Sequence, residues 1–153
     1  MMIFGYTTQK ILICDRVFPG ASVNKEYYFG FLSRLRSAIS RKQPDLLTRG
    51  LLILQDNAVC HTAVLVMHRS EKYLWEVLPH EPYSPDKTPP DFDLFPVLKE
   101  ALRGRRYHDL DELSAAVNAR VRFIEKYRLC RGIEKLPDRW QAIIDKDWDY
   151  IEH

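Results

Sequence analysis

The 153 residues contain no run of 18 apolar residues, so no segment is long enough to cross a bilayer as a helix. The apolar start, MMIFGYTTQKILIC, is broken by a glycine, two threonines, a glutamine and a lysine. It has neither a basic leader nor a small-residue cleavage site, and does not read as a signal peptide. Cysteine is scarce: Cys14, Cys60 and Cys130 are far apart and odd in number, which argues against a disulfide framework and for a reducing compartment. There is no CxxC pair, and no HxxxH or HExxH spacing among the five histidines, so neither a thiolate nor a hydrolytic zinc site is expected. Internal repeats and low-complexity linkers are missing too.

What is present is an ordinary globular composition, 46% hydrophobic and 29% charged, in one domain's length of chain. The net charge of +2 is unevenly spread. Residues 1–50 hold eight Lys/Arg against three Asp/Glu, and residues 51–153 hold fifteen against eighteen. A basic bias in the first third suits a phosphate backbone, and it also suits many folded proteins that bind none.

MMIFGY and KILICDRVF read as short strands joined by a turn, with antiparallel pairing the natural solution. Asn24 caps a helix from Lys25, whose stripe is Tyr28, Phe31, Leu32, Leu35 and Ile39. Its other face carries Arg34, Arg36, Arg41 and Lys42, and Pro44 stops it. LLILQ is a continuous apolar run, the mark of a strand covered on both faces, and WEVL (75–78) is a second interior strand. Between them, Ala58 to Arg69 has helical character. Five prolines lie in residues 79–90, which no regular element tolerates. DFDLFPVLKEAL reads as a helix with Pro96 in its first turns. In the next helix Asp109 is the cap, Glu112 holds the box position, and Leu113, Val117, Val121 and Ile124 form the stripe. A shorter helix and an aromatic-rich end follow, with Trp140, Trp148 and Tyr150 spaced for packing on the sheet. The expected fold class is α/β with a mixed central β-sheet flanked by helices.

In such a sheet, chemistry collects at the C-terminal ends of strands. Asp56 and Asn57 follow LLILQ directly, and Asp91 opens a helix after the proline-rich loop. Two carboxylates at close range repel unless a proton or cation lies between them, and hard oxygen ligands suit Mg²⁺ or Mn²⁺. The plainer reading stays open for both: Asp after a strand forms turns, and Asp before a helix caps it.

LILQDNAVCHTA, WEVLPHEPYSPDKTPPDFDLF, LRGRRY and GIEKLPDRWQAIIDKDWDYIE, in that order, resemble the mariner transposases of the Tc1/mariner superfamily. The resemblance covers nearly the whole chain. It implies a ribonuclease H-like catalytic domain over residues 1–153, acting by Mg²⁺- or Mn²⁺-dependent DNA cleavage and strand transfer in the nucleus. The family's triad is Asp, Asp, Asp, with 34 residues between the second and third. Asp56 and Asp91 are separated by 34 residues. They therefore take the second and third roles as catalytic, metal-binding residues.

The resemblance places the first aspartate at the end of the opening strand, where counting back from Pro19-Gly20 gives Thr7. A neutral hydroxyl cannot bridge two cations, so the chain reads as a degenerate transposase. Asp15, at the far end of the second strand, is no substitute, and Asp93 is expected to point away from Asp91. The bipartite helix-turn-helix region that precedes the family's catalytic domain is expected to be absent, because Met1 already falls in the first strand. Asn57 and His61 match the motif as supporting residues. His61 is either beside the metals or, more plainly, orienting its turn. His80 and His108 are isolated and read as structural. Tyr83, Ser84, Pro85 and Asp86 form a rigid loop that sets Asp91. Arg103, Arg105 and Arg106 are candidates for DNA backbone contact or for a solvated or ion-paired face. The loop FPGASVNKEYY corresponds to the region with which family dimers reach a partner subunit, so a homodimer is compatible. The alternative to an enzyme is an inert or domesticated fragment that binds nucleic acid or protein.

Overall fold

The computed structural model describes residues 1–56, 58–79, 88–127 and 131–145. Asn57, His80, the segment from Tyr83 to Asp86, Cys130, Trp148 and Tyr150 lie outside these, so the expectations placed on them are not addressed below. The chain divides into two compact units, Met1–Tyr6 with Leu12–Tyr83, and Thr7–Ile11 with Ser84–His153.

The first unit is built on β1 (Met2–Tyr6) and β2 (Ile11–Arg16), hydrogen-bonded neighbours whose four-residue connection permits only antiparallel pairing. α1 (Lys25–Lys42) starts where expected: the Asn24 side chain accepts from the Tyr27 N–H at 2.8 Å. The anticipated stripe is the buried one, with Tyr28, Phe31, Leu32, Leu35 and Ile39 all in the core beside Leu12, Val66 and Trp75. Burying each of these large side chains contributes roughly 1.5–3 kcal/mol. α1 can lie close to β1 because Gly5 has no side chain; a Cβ there would stand 2.8 Å from Leu35 Cδ1. Pro44 ends α1 but also opens a short α2 (Asp45–Arg49), which the sequence reading did not include.

β3 (Leu51–Ile53) and β4 (Trp75–Val77) pair in parallel, Leu51 opposite Trp75 and Ile53 opposite Val77. The described strands form two two-stranded sheets, β1–β2 antiparallel and β3–β4 parallel, so both directions expected of a mixed sheet are present, but β3 and β4 are shorter than the apolar runs that announced them. They are not covered on both faces either: Leu52 is 62% exposed, and Glu76 and Val77 are exposed while Trp75 is buried. An apolar run records composition, whereas coverage depends on what packs above it. Between these strands the helical stretch is two helices, α3 (Val59–Thr62) and α4 (Val64–Lys72), broken at Ala63 by its extended ψ of 140°.

The second unit begins its described part with a π-helical turn, Pro90–Leu94, that runs into α5 (Phe95–Leu102). Regular structure therefore starts inside the proline-rich stretch, a correction to the sequence reading. Pro90 at the first helical position has no N–H to leave unpaired. Pro96 cannot donate to the preceding turn and its ring crowds that turn's carbonyl, so a widened turn just before it removes the conflict. α6 (Leu110–Tyr127) carries the expected cap: Asp109 Oδ1 accepts from the Glu112 N–H at 2.8 Å. Glu112 reaches back to the His108 N–H at 2.7 Å, one residue before the usual box partner. Val117, Val121 and Ile124 are buried, Leu113 half-buried. α7 (Leu136–Asp145) buries Leu136 and Ile143 but leaves Trp140 36% exposed, so that tryptophan is not the core residue its spacing suggested.

Candidate metal and nucleic-acid site

Asp56 lies three residues beyond β3, with its side chain 61% exposed. One oxygen, Oδ1, is fully engaged by its own loop. It accepts from the Ala58 N–H at 3.0 Å and from His61 Nδ1 at 2.6 Å. Among the described residues nothing engages Oδ2. The turn reading and the catalytic reading of Asp56 are therefore compatible, one oxygen serving each.

A layer behind Asp56 was not visible in the sequence. Tyr28 of α1 donates its hydroxyl to Gln55 Oε1 at 2.6 Å, and its ring lies 4.1 Å from that of His61 at 42°. One buried tyrosine thus touches both the residue before Asp56 and the imidazole that holds its carboxylate. Burial pushes the Tyr28 phenol well above its ordinary range, with the nearby Cys60 and Asp56 adding to the shift. His61 therefore holds the Asp56 loop, a contact compatible with both of its readings. The signal was present only as a tyrosine on a helix stripe, where a core role is the usual explanation.

Asp91 sits in the π-helical turn, exposed, and one of its oxygens is likewise fixed locally. Thr88, itself buried, donates its hydroxyl to Asp91 Oδ2 at 2.6 Å, and the Asp91 N–H returns to the Thr88 carbonyl at 3.1 Å. Oδ1 has no partner among the described residues. The Thr-x-x-Asp spacing in TPPD was the available clue, since it is a helix-entry pattern. Asp93 does point elsewhere, accepting a short hydrogen bond from the Gly132 N–H. A Cβ on Gly132 would meet Asp93 Cβ at 2.8 Å and Phe92 at 2.9 Å, which is why glycine begins the GIEKLPDRW block.

Thr7 follows β1 directly, and its hydroxyl oxygen accepts from the Gln9 and Lys10 N–H groups at 3.2 and 3.3 Å. This is the local turn chemistry expected of threonine, and it places no negative charge there. Asp15 in β2 is held by Arg34 at 2.7 Å and by the Tyr27 hydroxyl at 2.8 Å, so it is committed to anchoring α1. Arg103, Arg105 and Arg106 are exposed in the turn after α5, where Gly104 takes φ +75°. None forms an ion pair with a described residue, and their exposure fits either of their readings. His108 is exposed and contributes a backbone N–H to the α6 cap.

The donor types at Asp56 and Asp91, hard carboxylate oxygens, suit Mg²⁺ or Mn²⁺, and Mg²⁺ is commonly held by one or two carboxylates with the rest of its shell from water and phosphate. Among the described residues no group of three or more His, Cys, Asp or Glu could hold a metal ion.

An α/β fold with this element order, an aspartate after β3 and another at a helix entry, is that of a ribonuclease H-like domain, and the solved structures agree. The Mos1 transposase catalytic domain, determined with raltegravir and Mn, matches with a TM-score of 0.93 at 32% identity, covering 99% of this chain and 76% of that chain. The Mos1 mariner paired-end complex with Mn matches with a TM-score of 0.93, covering 44% of that chain. In sequence the chain is 36% identical over 154 residues to the Mariner Mos1 transposase of Drosophila mauritiana, across 99% of its own length and 45% of that protein. It is also 33% identical over 138 residues to the human histone-lysine N-methyltransferase SETMAR, of which it covers 20%. No protein-family model matches. The chain thus spans less than half the length of the curated relatives it matches. It belongs to the mariner transposases, within the Tc1/mariner superfamily, and corresponds to their catalytic domain.

Proposed function

We propose that this chain is the catalytic region of a mariner-type DNA transposase, with Asp56 and Asp91 as metal-binding carboxylates and no carboxylate at Thr7. The observation that carries the reading is the same at both aspartates: one oxygen is fixed by its own loop and the other has no partner among the described residues. Bound Mg²⁺ or Mn²⁺ would activate water and stabilise the leaving oxygen of a phosphodiester. His61 and Thr88 hold their carboxylates in place, and the exposed Arg103, Arg105 and Arg106 contact the DNA backbone. The related Mos1 structures contain Mn or Mg and are described as paired-end complexes. By that likeness the partner is DNA, the assembly a homodimer and the place of action the nucleus.

Neutral Thr7 makes this chain a degenerate nuclease whose cleavage is weak or absent. A different source for the first carboxylate is favoured by one observation: part of the related catalytic-domain chain has no counterpart among these residues. Plasmid nicking in Mn²⁺ by the native chain, by Thr7→Asp and by Asp56→Asn separates the two. Activity that appears only in Thr7→Asp supports the dead-enzyme reading. Silence in native and Thr7→Asp chains that still fold and bind duplex assigns the first carboxylate to chain beyond these residues. Native activity that survives Asp56→Asn sinks the assignment of Asp56. A non-enzymatic, domesticated role is the second reading, favoured by the occurrence of a related segment within a human protein named for another activity. Duplex binding with no nicking in any version, and none when the part of the related catalytic domain that has no counterpart here is supplied, would support it.

A further inference from the structure

Two arginines of the first unit converge on one tyrosine with no acid of the described residues between them. Phe29, Ser33 and Arg36 lie on one face of α1, and Arg69 and Tyr73 stand four residues apart along α4 and its cap. The Arg36 guanidinium lies 5.0 Å from the centroid of the Tyr73 ring, and that of Arg69 lies 5.3 Å from the same centroid. Arg69 is stacked on Phe29 at 3.6 Å and donates from Nη1 to the Tyr73 hydroxyl at 2.7 Å. That hydroxyl in turn donates to Ser33 Oγ at 3.4 Å. Neither arginine pairs with a carboxylate among the described residues, whereas Arg34 on the same helix is neutralised by Asp15. Two like charges brought to one ring repel each other, and stacking on aromatics recovers only part of that cost. An anion would remove it. The surroundings already favour negative charge: although burial raises the Tyr73 phenol, its hydrogen bonds with Ser33 and Arg69 and the charges of Arg69 and Arg36 together bring it below its ordinary value.

We propose that Arg36 and Arg69, converging on Tyr73, form a binding site for one phosphate group of a nucleic-acid backbone. Arg36 is exposed and Arg69 and Tyr73 half-buried, so the site opens to solvent while the Phe29 stack fixes the plane of one guanidinium. A planar fork held in place is the geometry that suits phosphate oxygens, and the remaining donors of both arginines are available for it. The site contains no group of the Asp56 or Asp91 loops. It rests on the nucleic-acid reading above and adds a place on the first unit that holds the strand.

The test is fluorescence anisotropy of a labelled duplex with the whole chain, comparing Arg36→Ala with Arg41→Ala. Both positions are exposed on α1 and each variant removes one positive charge, so diffuse attraction weakens equally in the two. We expect Arg36→Ala to weaken binding about tenfold and to lower the salt slope by about one, with Arg41→Ala costing no more than about threefold. Arg69→Lys, which keeps the charge but loses the fork, weakens binding too, and melting curves confirm folding. Equal losses for Arg36→Ala and Arg41→Ala overturn the site while leaving DNA binding intact. Absence of duplex binding by the native chain overturns the nucleic-acid reading itself, and this site with it. Inorganic phosphate titrated against the arginine side-chain NMR signals identifies a free-phosphate site if it binds while duplex affinity ignores Arg36→Ala, which also overturns the proposal.

Discussion

Replacing Tyr28 by phenylalanine removes one oxygen and leaves the ring in the core, so it isolates the hydrogen bond to Gln55 and the ionisable group. At neutral pH the loss of a 2.6 Å bond to a neutral acceptor costs about 1 kcal/mol, or about 2–4 °C in Tm for a chain of this size. At alkaline pH a second effect opposes the first. The folded phenol is raised above its ordinary value of 10.0, chiefly by burial, so the folded state keeps a proton that the unfolded chain releases. That contribution to stability is fully present below pH 10 and is lost as pH rises from there toward the folded value. The limiting slope is about 1.4 kcal/mol per pH unit for one proton, which integrates to about 0.8 kcal/mol at roughly pH 10.5. Phenylalanine has no proton to lose. Chemical denaturation of both versions from pH 7 to about 10.5 should therefore show a gap near 1 kcal/mol that closes almost completely at the alkaline end. A gap that stays constant would mean the Tyr28 hydroxyl is not in the buried, hydrogen-bonded setting described, and the account of how α1 supports the Asp56 loop would fall.

Gly132→Ala places a Cβ against the Asp93 and Phe92 side chains and should destabilise by about 1–3 kcal/mol; a Tm within a degree of native would refute the close approach. Asp109→Ala removes the α6 cap and should cost about 1 kcal/mol, read as a lower denaturation midpoint with an unchanged slope. Leu74 is exposed at φ +58° in the turn that ends α4, so Leu74→Gly relieves backbone strain and should leave the protein more stable by up to about 1 kcal/mol. A loss of stability there would mean the leucine side chain makes a contact that its exposure denies.

Local chemistry was legible in the residues alone. The α1 stripe, the Asn24 and Asp109 caps and the antiparallel opening hairpin follow from side-chain spacing and from which groups can satisfy a helix end, and those forces act over a few residues. The spacing of Asp56 and Asp91 was legible for the same reason: it is a property of the chain, independent of packing. Coverage was not. LLILQ and WEVL look alike in composition to fully buried strands, yet Leu52 and Val77 are exposed, because burial depends on neighbours distant in sequence. Trp140 misled in the same way. The extra turn at Pro44 and the π-helical entry at Pro90 arise where a missing N–H has to be accommodated, and the sequence offers more than one accommodation.

By itself, then, the sequence determined most of the element types, the family and the spacing of Asp56 and Asp91. Only the tertiary structure decided that Tyr28 stands behind His61 and that Arg36 and Arg69 share one ring. Each of those facts depends on two helices or a helix and a loop meeting at a particular register. No one-dimensional pattern encodes that register, because it is set by the packing of the side chains between them.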